Sequence, residues 1–179
     1  MSTSGDVWIF GYGSLVWRPA FEYLDKQPAY IKGWMRRFWQ ASPDHRGTPE
    51  APGRVVTLLR AEGDTCWGMA YLVSKAVAEP ILKELDHREK AGYERVLTPI
   101  YDASNAVIDE GTLVYIAGPT NPSFLGESPL EEIADAVVHS IGPSGANTEY
   151  VLRLADALDE MGVVDPHVQT LASLVRKRS

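Results

Sequence analysis

Cysteine is almost absent from this sequence. Cys66 is the one cysteine among 179 residues, so an intrachain disulfide is excluded. Secreted domains often depend on disulfides, whereas cytosolic thiols are kept reduced, and the composition therefore predicts a cytoplasmic location. Cys66 lies in the apolar stretch 65–73, where a buried cysteine usually behaves as a small hydrophobic residue. We therefore predict a structural role for this thiol.

Long apolar runs and basic segments are missing as well. No stretch approaches the length of a membrane span, and residues 1–6 lack the basic and apolar regions of a secretory signal. The 17 Lys and Arg residues are outnumbered by 24 Asp and Glu, which gives a net charge of −7. These features predict neither a membrane nor a nucleic acid as partner. No pattern in the sequence indicates an obligate protein partner.

Common motifs for metals, phosphates and activated serines do not occur. The histidines at 45, 87, 139 and 167 show no metal-ligand spacing, and there is no HExxH. The GxSxG elbow of serine hydrolases and the GxxxxGK[ST] phosphate loop are also missing. The sequence therefore predicts no metal and no cofactor, and it leaves a carboxylate as the candidate for acid–base chemistry.

Strand patterns fill the first two thirds of the chain, and helix patterns fill the last third. Aromatic and β-branched residues predict strands at 7–10, within 29–42, and at 54–62, 65–73, 94–103 and 111–118. The Gly63–Asp64 pair predicts a turn that joins 54–62 and 65–73 into a hairpin. Because strands precede helices, we expect one α+β domain over residues 1–179 with a mixed or barrel-like sheet.

Four helices are predicted from apolar spacing and from capping residues. Ser74 is expected to cap the first helix, in which Val77, Ile81, Leu82 and Leu85 share one face. The other three are expected at 129–142, 147–163 and 165–178. Pro129 suits a first turn, Asn147 is a candidate N-cap, and Gly162 is a candidate C-terminal stop.

Two glycines interrupt the first strand in WIFGYGSLVW, residues 8–17. Glycine lets the backbone turn sharply and lets a ligand approach the main chain. Successive N–H groups of Tyr12, Gly13, Ser14 and Leu15 suit an anion or an oxyanion. A simple bulge or turn leaves the same pattern, so both interpretations stay open at this stage.

The charged stretch LDHREKAGYERV, residues 85–96, also has two interpretations. Most such clusters are solvated surface. Glu89, however, falls near the end of a predicted helix, where the helix dipole disfavours a carboxylate. Partial burial would raise the pKa of this carboxyl further, and a raised pKa is what a general base near neutral pH requires.

Seven segments, taken in order, strongly resemble the ChaC family of glutathione-specific γ-glutamylcyclotransferases. The resemblance runs from about Trp8 to Leu171 and rests on FGYGSLVW, GWMRRFWQASPDHRGTPEAPGRVVTL, CWGMAY, LDHREKAGY, NPSFLG, IGPSGANTEYV and DPHVQTL. It implies the γ-glutamylcyclotransferase-like fold, a small mixed β-barrel flanked by helices. It also implies cleavage of glutathione to 5-oxoproline and Cys-Gly by attack of the substrate's α-amine on its γ-carbonyl.

The same resemblance implies where substrate binds and which residue is catalytic. The segment that holds the γ-glutamyl group in this family corresponds here to Gly11, Tyr12, Gly13, Ser14, Leu15 and Val16. The catalytic carboxylate corresponds to Glu89, within REKAGY.

Two more residues are candidates from their own chemistry. Arg54 is a candidate partner for a substrate carboxylate, although an ordinary strand-end arginine fits equally well. Tyr93 is a candidate hydrogen-bond donor beside Glu89, although a core aromatic residue fits as well.

Two other functions remain open from the sequence. The first is a γ-glutamylcyclotransferase of broader specificity, acting on other γ-glutamyl amino acids or amines. The second is a non-catalytic protein that binds a γ-glutamyl metabolite and regulates a partner, in line with the family's older association with cation transport. Binding alone needs any fixed anion, whereas catalysis needs a carboxylate that moves a proton.

Overall fold

The computed structural model describes residues 5–19, 21–90 and 93–179, with the backbone alone for residues 85, 86 and 88–90. Its strands are β1 Val7–Gly11, β2 Asp25–Ser42, β3 Gly53–Val73, β4 Glu94–Tyr101, β5 Val107–Ile116, β6 Ile141–Gly142 and β7 Gly145–Ala146. Its helices are α1 Lys75–Lys90, α2 Leu130–Val138, α3 Asn147–Glu160 and α4 Pro166–Arg178, with a 3-10 turn at Ser14–Val16.

The chain divides into two compact units. The first comprises Met1–Met35 and Leu58–Asn121, and the second comprises Arg36–Thr57 and Pro122–Ser179. The prediction of one domain over residues 1–179 stays a prediction.

Strands β1 to β5 close into a barrel in the order β1-β3-β2-β4-β5. Strand β1 runs antiparallel to β3 and parallel to β5, where Ile9 lies opposite Leu113. Strand β4 runs antiparallel to β5, with Glu94 opposite Ile116. The end of β1, the start of β4 and the end of β5 therefore lie at one end of the barrel. The α+β class and the mixed barrel are confirmed.

Apolar side chains fill the barrel because alternate residues of each strand point inward. The buried cluster inside the first unit consists of Trp8, Phe10, Ala29, Ile31, Trp34, Leu58, Cys66, Ala70, Ile100, Val114 and Ile116. Cys66 is thus part of the interior packing, as the sequence predicted. Tyr12 packs against this cluster from the turn that follows β1.

The hairpin predicted at Gly63–Asp64 is wrong, because β3 continues through it as one strand of 21 residues. Gly63 has a φ of +86°, and a Cβ placed there would meet no atom within 4 Å. A glycine in this conformation bends a strand as readily as it reverses one. The positive φ was implied by the sequence, but the path of the chain on either side was not.

Helix α1 begins as predicted. The Val77 amide donates to Ser74 Oγ at 3.3 Å, which is the hydrogen bond of an N-cap. Val77, Ile81 and Leu82 then pack against a second buried cluster, formed by Ile9, Tyr71, Val73 and Ala78. Leu85, the remaining residue of the predicted apolar face, has its side chain outside the described residues. Among the described residues, no helix is long and apolar enough to cross a membrane.

The second unit contains α2, α3 and α4, and one of its predicted caps is wrong. Residue Ala146, not Asn147, is the N-cap of α3. The fully buried Asn147 side chain instead accepts from the Arg54 amide at 2.7 Å and donates to the Arg54 carbonyl at 2.8 Å. Asn147 thus satisfies the backbone of β3. The predicted helix stop at Gly162 is confirmed, since its φ is +71° and its amide donates to the Asp159 carbonyl at 3.0 Å.

Candidate active site

A tight turn follows β1 at the barrel end defined above. Gly11 closes the strand, and a Cβ added to it would lie 2.4 Å from the Leu15 Cβ. Real Cβ contacts are never so short, so only glycine lets the chain fold back this closely. The Val16 amide then donates to the Gly13 carbonyl at 3.0 Å and closes the 3-10 turn.

Three successive amides of this turn are unpaired. The N–H groups of Gly13, Ser14 and Leu15 donate to no acceptor within the described part of the chain. Ser14 is exposed, and Gly13 and Leu15 are partly exposed, so these donors are open to a ligand. Consecutive backbone amides of this kind bind anionic oxygens.

Two tyrosines hold the turn in place. Tyr12 donates its hydroxyl to the Tyr115 carbonyl of β5 at 2.7 Å, and Tyr71 of β3 donates to the Leu15 carbonyl. Burial, with a smaller contribution from Tyr23, raises the pKa of Tyr71 to about 12. The Tyr71 hydroxyl therefore stays protonated at physiological pH and remains a donor to the turn.

A cavity of about 280 Å³ opens at the same end of the barrel. Three of the residues that line it belong to the buried cluster against which Tyr12 packs, namely Trp34, Leu58 and Ile116. Ile116 also follows Tyr115, whose carbonyl accepts from Tyr12. The unpaired amides and the cavity thus lie at the same end of the barrel, beside one buried cluster. The remaining lining residues are Leu59, Arg60, Glu94, Gly118 and Pro119.

This cavity carries one positive and one negative side chain. The Arg60 guanidinium lies over the Trp34 ring, with its Cζ 4.3 Å from the ring centroid. The Glu94 carboxylate lies beside Gly118, where an added Cβ would be 3.9 Å from it. Arg60 forms no ion pair with Glu94 or with any other carboxylate of the described residues. Both charges therefore line the cavity without forming an ion pair among the described residues.

The structure places the other predicted residues as follows. Glu89 is the penultimate residue of α1, as expected from its predicted position near a helix end, and its side chain lies outside the described residues. Tyr93 is half-buried directly before β4, and so belongs to the barrel end that carries the turn. Their catalytic and binding roles stay predictions.

Arg54 belongs to the second unit and uses its guanidinium there. Nη1 donates to the Phe38 carbonyl at 3.0 Å, and Nη2 donates to Ser128 Oγ at 3.4 Å. Burial lowers the pKa of Arg54 from its usual value, and the nearby Glu132 opposes that shift. These contacts support the structural interpretation of Arg54, and its predicted pairing with substrate stays a prediction.

Sequence reasoning missed Trp34, Arg60 and Glu94 as members of a cavity. Trp34 and Arg60 lie on long predicted strands, and the alternation of a strand does not show which inward positions reach the open end of a barrel. Glu94 follows the GY of the charged stretch, and its position at the start of a strand was the one available signal. No group of three His, Cys, Asp or Glu residues that suits a metal ion occurs within residues 5–19, 21–90 and 93–179.

A barrel end with unpaired amides beside a cavity of this size is typical of proteins that bind a small, polar molecule. The family model of ChaC-like proteins matches residues 7–178, so this chain belongs to the ChaC-like family. It is 42% identical over 173 residues to human glutathione-specific γ-glutamylcyclotransferase 1, with coverage of 94% of this chain and 78% of the human protein. It is 43% identical over 176 residues to γ-glutamylcyclotransferase 2-3 of Arabidopsis thaliana, with coverage of 95% and 88%.

Solved structures agree with this family. A crystal structure of the yeast γ-glutamylcyclotransferase specific to glutathione superimposes with a TM-score of 0.87 at 29% identity, and covers 97% of this chain and 96% of the yeast chain. A structure described as γ-glutamyl cyclotransferase gives a TM-score of 0.56 at 15% identity, with coverage of 93% and 86%, and so shares the fold. The predicted γ-glutamylcyclotransferase-like fold is confirmed.

Proposed function

We propose that this protein is a glutathione-specific γ-glutamylcyclotransferase, a lyase that converts glutathione to 5-oxoproline and Cys-Gly. The observation that carries the proposal is the match to relatives of that name, at 41–45% identity over 90% or more of the chain. The open turn and its neighbouring cavity supply the polar donors and the space that a tripeptide substrate needs.

The reaction is an intramolecular acyl transfer. The α-amine of the γ-glutamyl group attacks the γ-carbonyl carbon, the new C–N bond closes a five-membered ring, and the bond to the cysteine nitrogen breaks. Because both reacting groups belong to one molecule, holding the substrate folded supplies much of the rate enhancement. An ammonium has no lone pair, so it must first lose one proton to water before it can attack. The attacking nitrogen loses a second proton as it becomes the ring N–H of 5-oxoproline, and the departing cysteine nitrogen must gain one.

Glu89 is assigned the proton transfer. Its carboxylate takes the proton of the attacking amine and returns it to the nitrogen of Cys-Gly, so one residue serves as base and then as acid. Glu89 precedes Glu94 by five residues, and a chain of that length spans at most about 18 Å. This limit is compatible with a position of Glu89 near the barrel end where Glu94 lines the cavity, which supports the assignment.

The unpaired amides of Gly13, Ser14 and Leu15 are assigned the binding of the γ-glutamyl group. They bind its α-carboxylate, and the γ-carbonyl oxygen as it gains charge is the second candidate for these donors. In this second role, where charge develops in the transition state, one such donor contributes about 3 kcal/mol if the bound substrate shields the site from water. Gly11, Tyr12 and Val16 shape the turn that presents them.

The proposal needs no partner besides this substrate, and includes neither nucleic acid nor a membrane. The cytosol, whose thiols are kept reduced by glutathione, is the proposed location, because the chain has a single buried cysteine.

A Glu89→Gln variant tests the proposal. We expect it to fold and to bind glutathione, but to release 5-oxoproline ~10²–10⁴ times more slowly, because an amide cannot shuttle the proton. Glu84→Gln is the matched control, since it makes the same change at an exposed position of the same helix. Products are measured by mass spectrometry, and binding by calorimetry. Full activity in Glu89→Gln would remove the proton-transfer role from this residue.

The two other functions predict different results with the wild-type protein. A cyclotransferase of broad specificity would turn over γ-glutamyl-alanine as fast as glutathione. A non-catalytic regulator would bind glutathione and leave it intact. The family match favours the glutathione-specific enzyme over both.

A further inference from the structure

Arg60 is the one cation among the described residues that line the barrel-end cavity. It is exposed, and no carboxylate of the described residues pairs with it. Charged side chains on a protein surface commonly have an opposite charge nearby, or extend freely into water. Arg60 forms no ion pair with a carboxylate of the described residues, and its guanidinium lies over a ring at the cavity wall.

Trp34 fixes the direction of this guanidinium. The indole is 5% exposed and is packed into the barrel interior, so its position is set by the fold. With the Arg60 Cζ 4.3 Å from the ring centroid, the cation is attracted to the face of the indole. A guanidinium held over a ring in this way still has N–H groups with which to bind an anion. The geometry is that of a prepared carboxylate-binding group.

The proposed substrate has one carboxylate that the turn does not use. If the γ-glutamyl group lies on the amides of Gly13–Leu15, the cysteinyl-glycine part must extend elsewhere, and it ends in the glycine carboxylate. The cavity is lined in part by Trp34, Leu58 and Ile116, members of the buried cluster against which Tyr12 of the turn packs. Its 280 Å³ lies just below the range typical of pockets for drug-sized ligands, which suits a dipeptide.

We infer that Arg60, held on Trp34, binds the glycine carboxylate of glutathione and so selects for a Cys-Gly leaving group. This inference rests on the proposed function, and assigns the part of the site that distinguishes glutathione from other γ-glutamyl compounds. Glu94 repels a carboxylate from its own side of the cavity. The two opposite charges thereby favour one orientation of the dipeptide.

The test compares glutathione with glutathione esterified at its glycine carboxylate. For the wild-type protein we expect kcat/KM to be about tenfold higher for the acid than for the ester, the effect of one charge-assisted hydrogen-bonded pair in an open cavity. Arg60→Gln should lower kcat/KM for the acid about tenfold and leave that for the ester unchanged, so that the two substrates become equivalent. Arg60→Lys keeps the charge but loses the planar guanidinium, so its kcat/KM for the acid should lie between those of the wild type and Arg60→Gln.

Two further variants serve as controls. Arg95→Gln removes a neighbouring cation that also lies over an aromatic ring, Tyr115, but does not line the cavity, and should keep the wild-type ratio of acid to ester. Glu94→Gln should also keep a preference for the acid. If Arg60 served only to attract Glu94, then Glu94→Gln and Arg60→Gln would each change kcat/KM for the acid and for the ester by the same factor.

The outcomes separate the inference from the function. The assignment of Arg60 would be overturned if Arg60→Gln kept the wild-type ratio of kcat/KM for the acid to that for the ester, or lost kcat/KM equally for both. In that case the wild-type protein would still make 5-oxoproline. Failure of the wild-type protein to make 5-oxoproline from glutathione would instead overturn the proposed function, and the inference with it.

Discussion

Tyr71 offers a sharp test of how the barrel holds the amide-bearing turn. Its ring is 1% exposed, and its hydroxyl donates to the Leu15 carbonyl. Tyr71→Phe keeps the ring and its edge-on packing against Phe21, at 5.5 Å between centroids, but removes the donor. The substitution thus isolates one hydrogen bond between the core and the turn.

The expected loss follows from the unsatisfied carbonyl. Leaving a polar group without its partner in a mostly buried position costs about 2 kcal/mol. For a chain of this length, that loss lowers the Tm by roughly 4–8 °C. Because the Leu15 carbonyl helps to set the direction of the adjacent amides, we also expect kcat/KM for glutathione to fall by about 10- to 100-fold.

Tyr30→Phe is the matched control in the same barrel. The Tyr30 hydroxyl donates to Asn105 Oδ1, in the turn that joins β4 to β5. That turn is at the opposite end of the barrel from the amides, since β4 starts and β5 ends beside them. Thermal melts should show a smaller loss of stability for Tyr30→Phe, because water can replace the hydroxyl at the exposed Asn105, while steady-state kinetics should show a loss for Tyr71→Phe alone. Equal kcat/KM in the two variants would refute the claim that Tyr71 positions the turn.

Two other predictions concern packing and pH. Gly11→Ala should cost about 1–3 kcal/mol in the free energy of unfolding, since its Cβ would lie 2.4 Å from the Leu15 Cβ; Gly111→Ala, where the added Cβ meets nothing within 4 Å, should be close to neutral in the same denaturant titration. The pKa of His167 is lowered to about 4, mainly by burial and further by Arg37 and Arg36, while Asp165 opposes the shift. The neutral ring accepts a hydrogen bond at Nε2 from the Phe38 amide, at 2.9 Å. The folded pKa lies below the unfolded value of 6.5, so the contribution of His167 to stability is complete above pH 6.5 and is lost as pH falls toward 4. Lowering the pH from 7 to 5 should therefore reduce the free energy of unfolding by about 2 kcal/mol through this residue.

Both predictions have clear contrary results. Equal stabilities of Gly11→Ala and Gly111→Ala would mean that the turn relaxes around the added methyl group. For the pH effect, His167→Gln keeps a side-chain acceptor but cannot titrate, so it should lose that part of the pH dependence. If wild type and His167→Gln respond alike between pH 7 and pH 5, His167 is not the group that titrates.

Local chemistry made part of this fold predictable from the sequence. Ser74 caps α1 because the hydroxyl and the amide that it accepts are only three residues apart. The apolar run that ends at Gly11 needed no distant information either, since its residues are strand formers and the glycine ends the strand. Elements of this kind depend on neighbours in the chain.

Other features depended on distant residues. The fully buried Asn147 has the right chemistry for an N-cap, but β3 brings the Arg54 backbone to it, and that backbone takes both of its polar groups. Gly63 has the conformation expected of a turn residue, yet it lies inside a long strand. In each case the sequence identified the property of the residue, and the tertiary contacts decided its use.

The candidate site shows the same division. The turn at Gly11–Val16 is compact in sequence, so its glycines pointed to it directly. The cavity joins residues from β2, β3, β4 and β5, among them Arg60 and Glu94, and the order β3-β2-β4-β5 in the sheet brings these strands side by side. Nothing in the local pattern around Arg60 distinguishes it from a solvated strand residue.

The open amides between Gly13 and Leu15 have a consequence for how such a protein diverges. Every amino acid except proline supplies the same N–H, so mutation cannot easily erase this set of donors. Side chains along a cavity wall have no such protection, and one codon change can replace a cation there. We therefore expect proteins that descend from a common ancestor to keep binding the part of the substrate that contacts these amides. They should differ in the part of the substrate that contacts the side chains of the cavity.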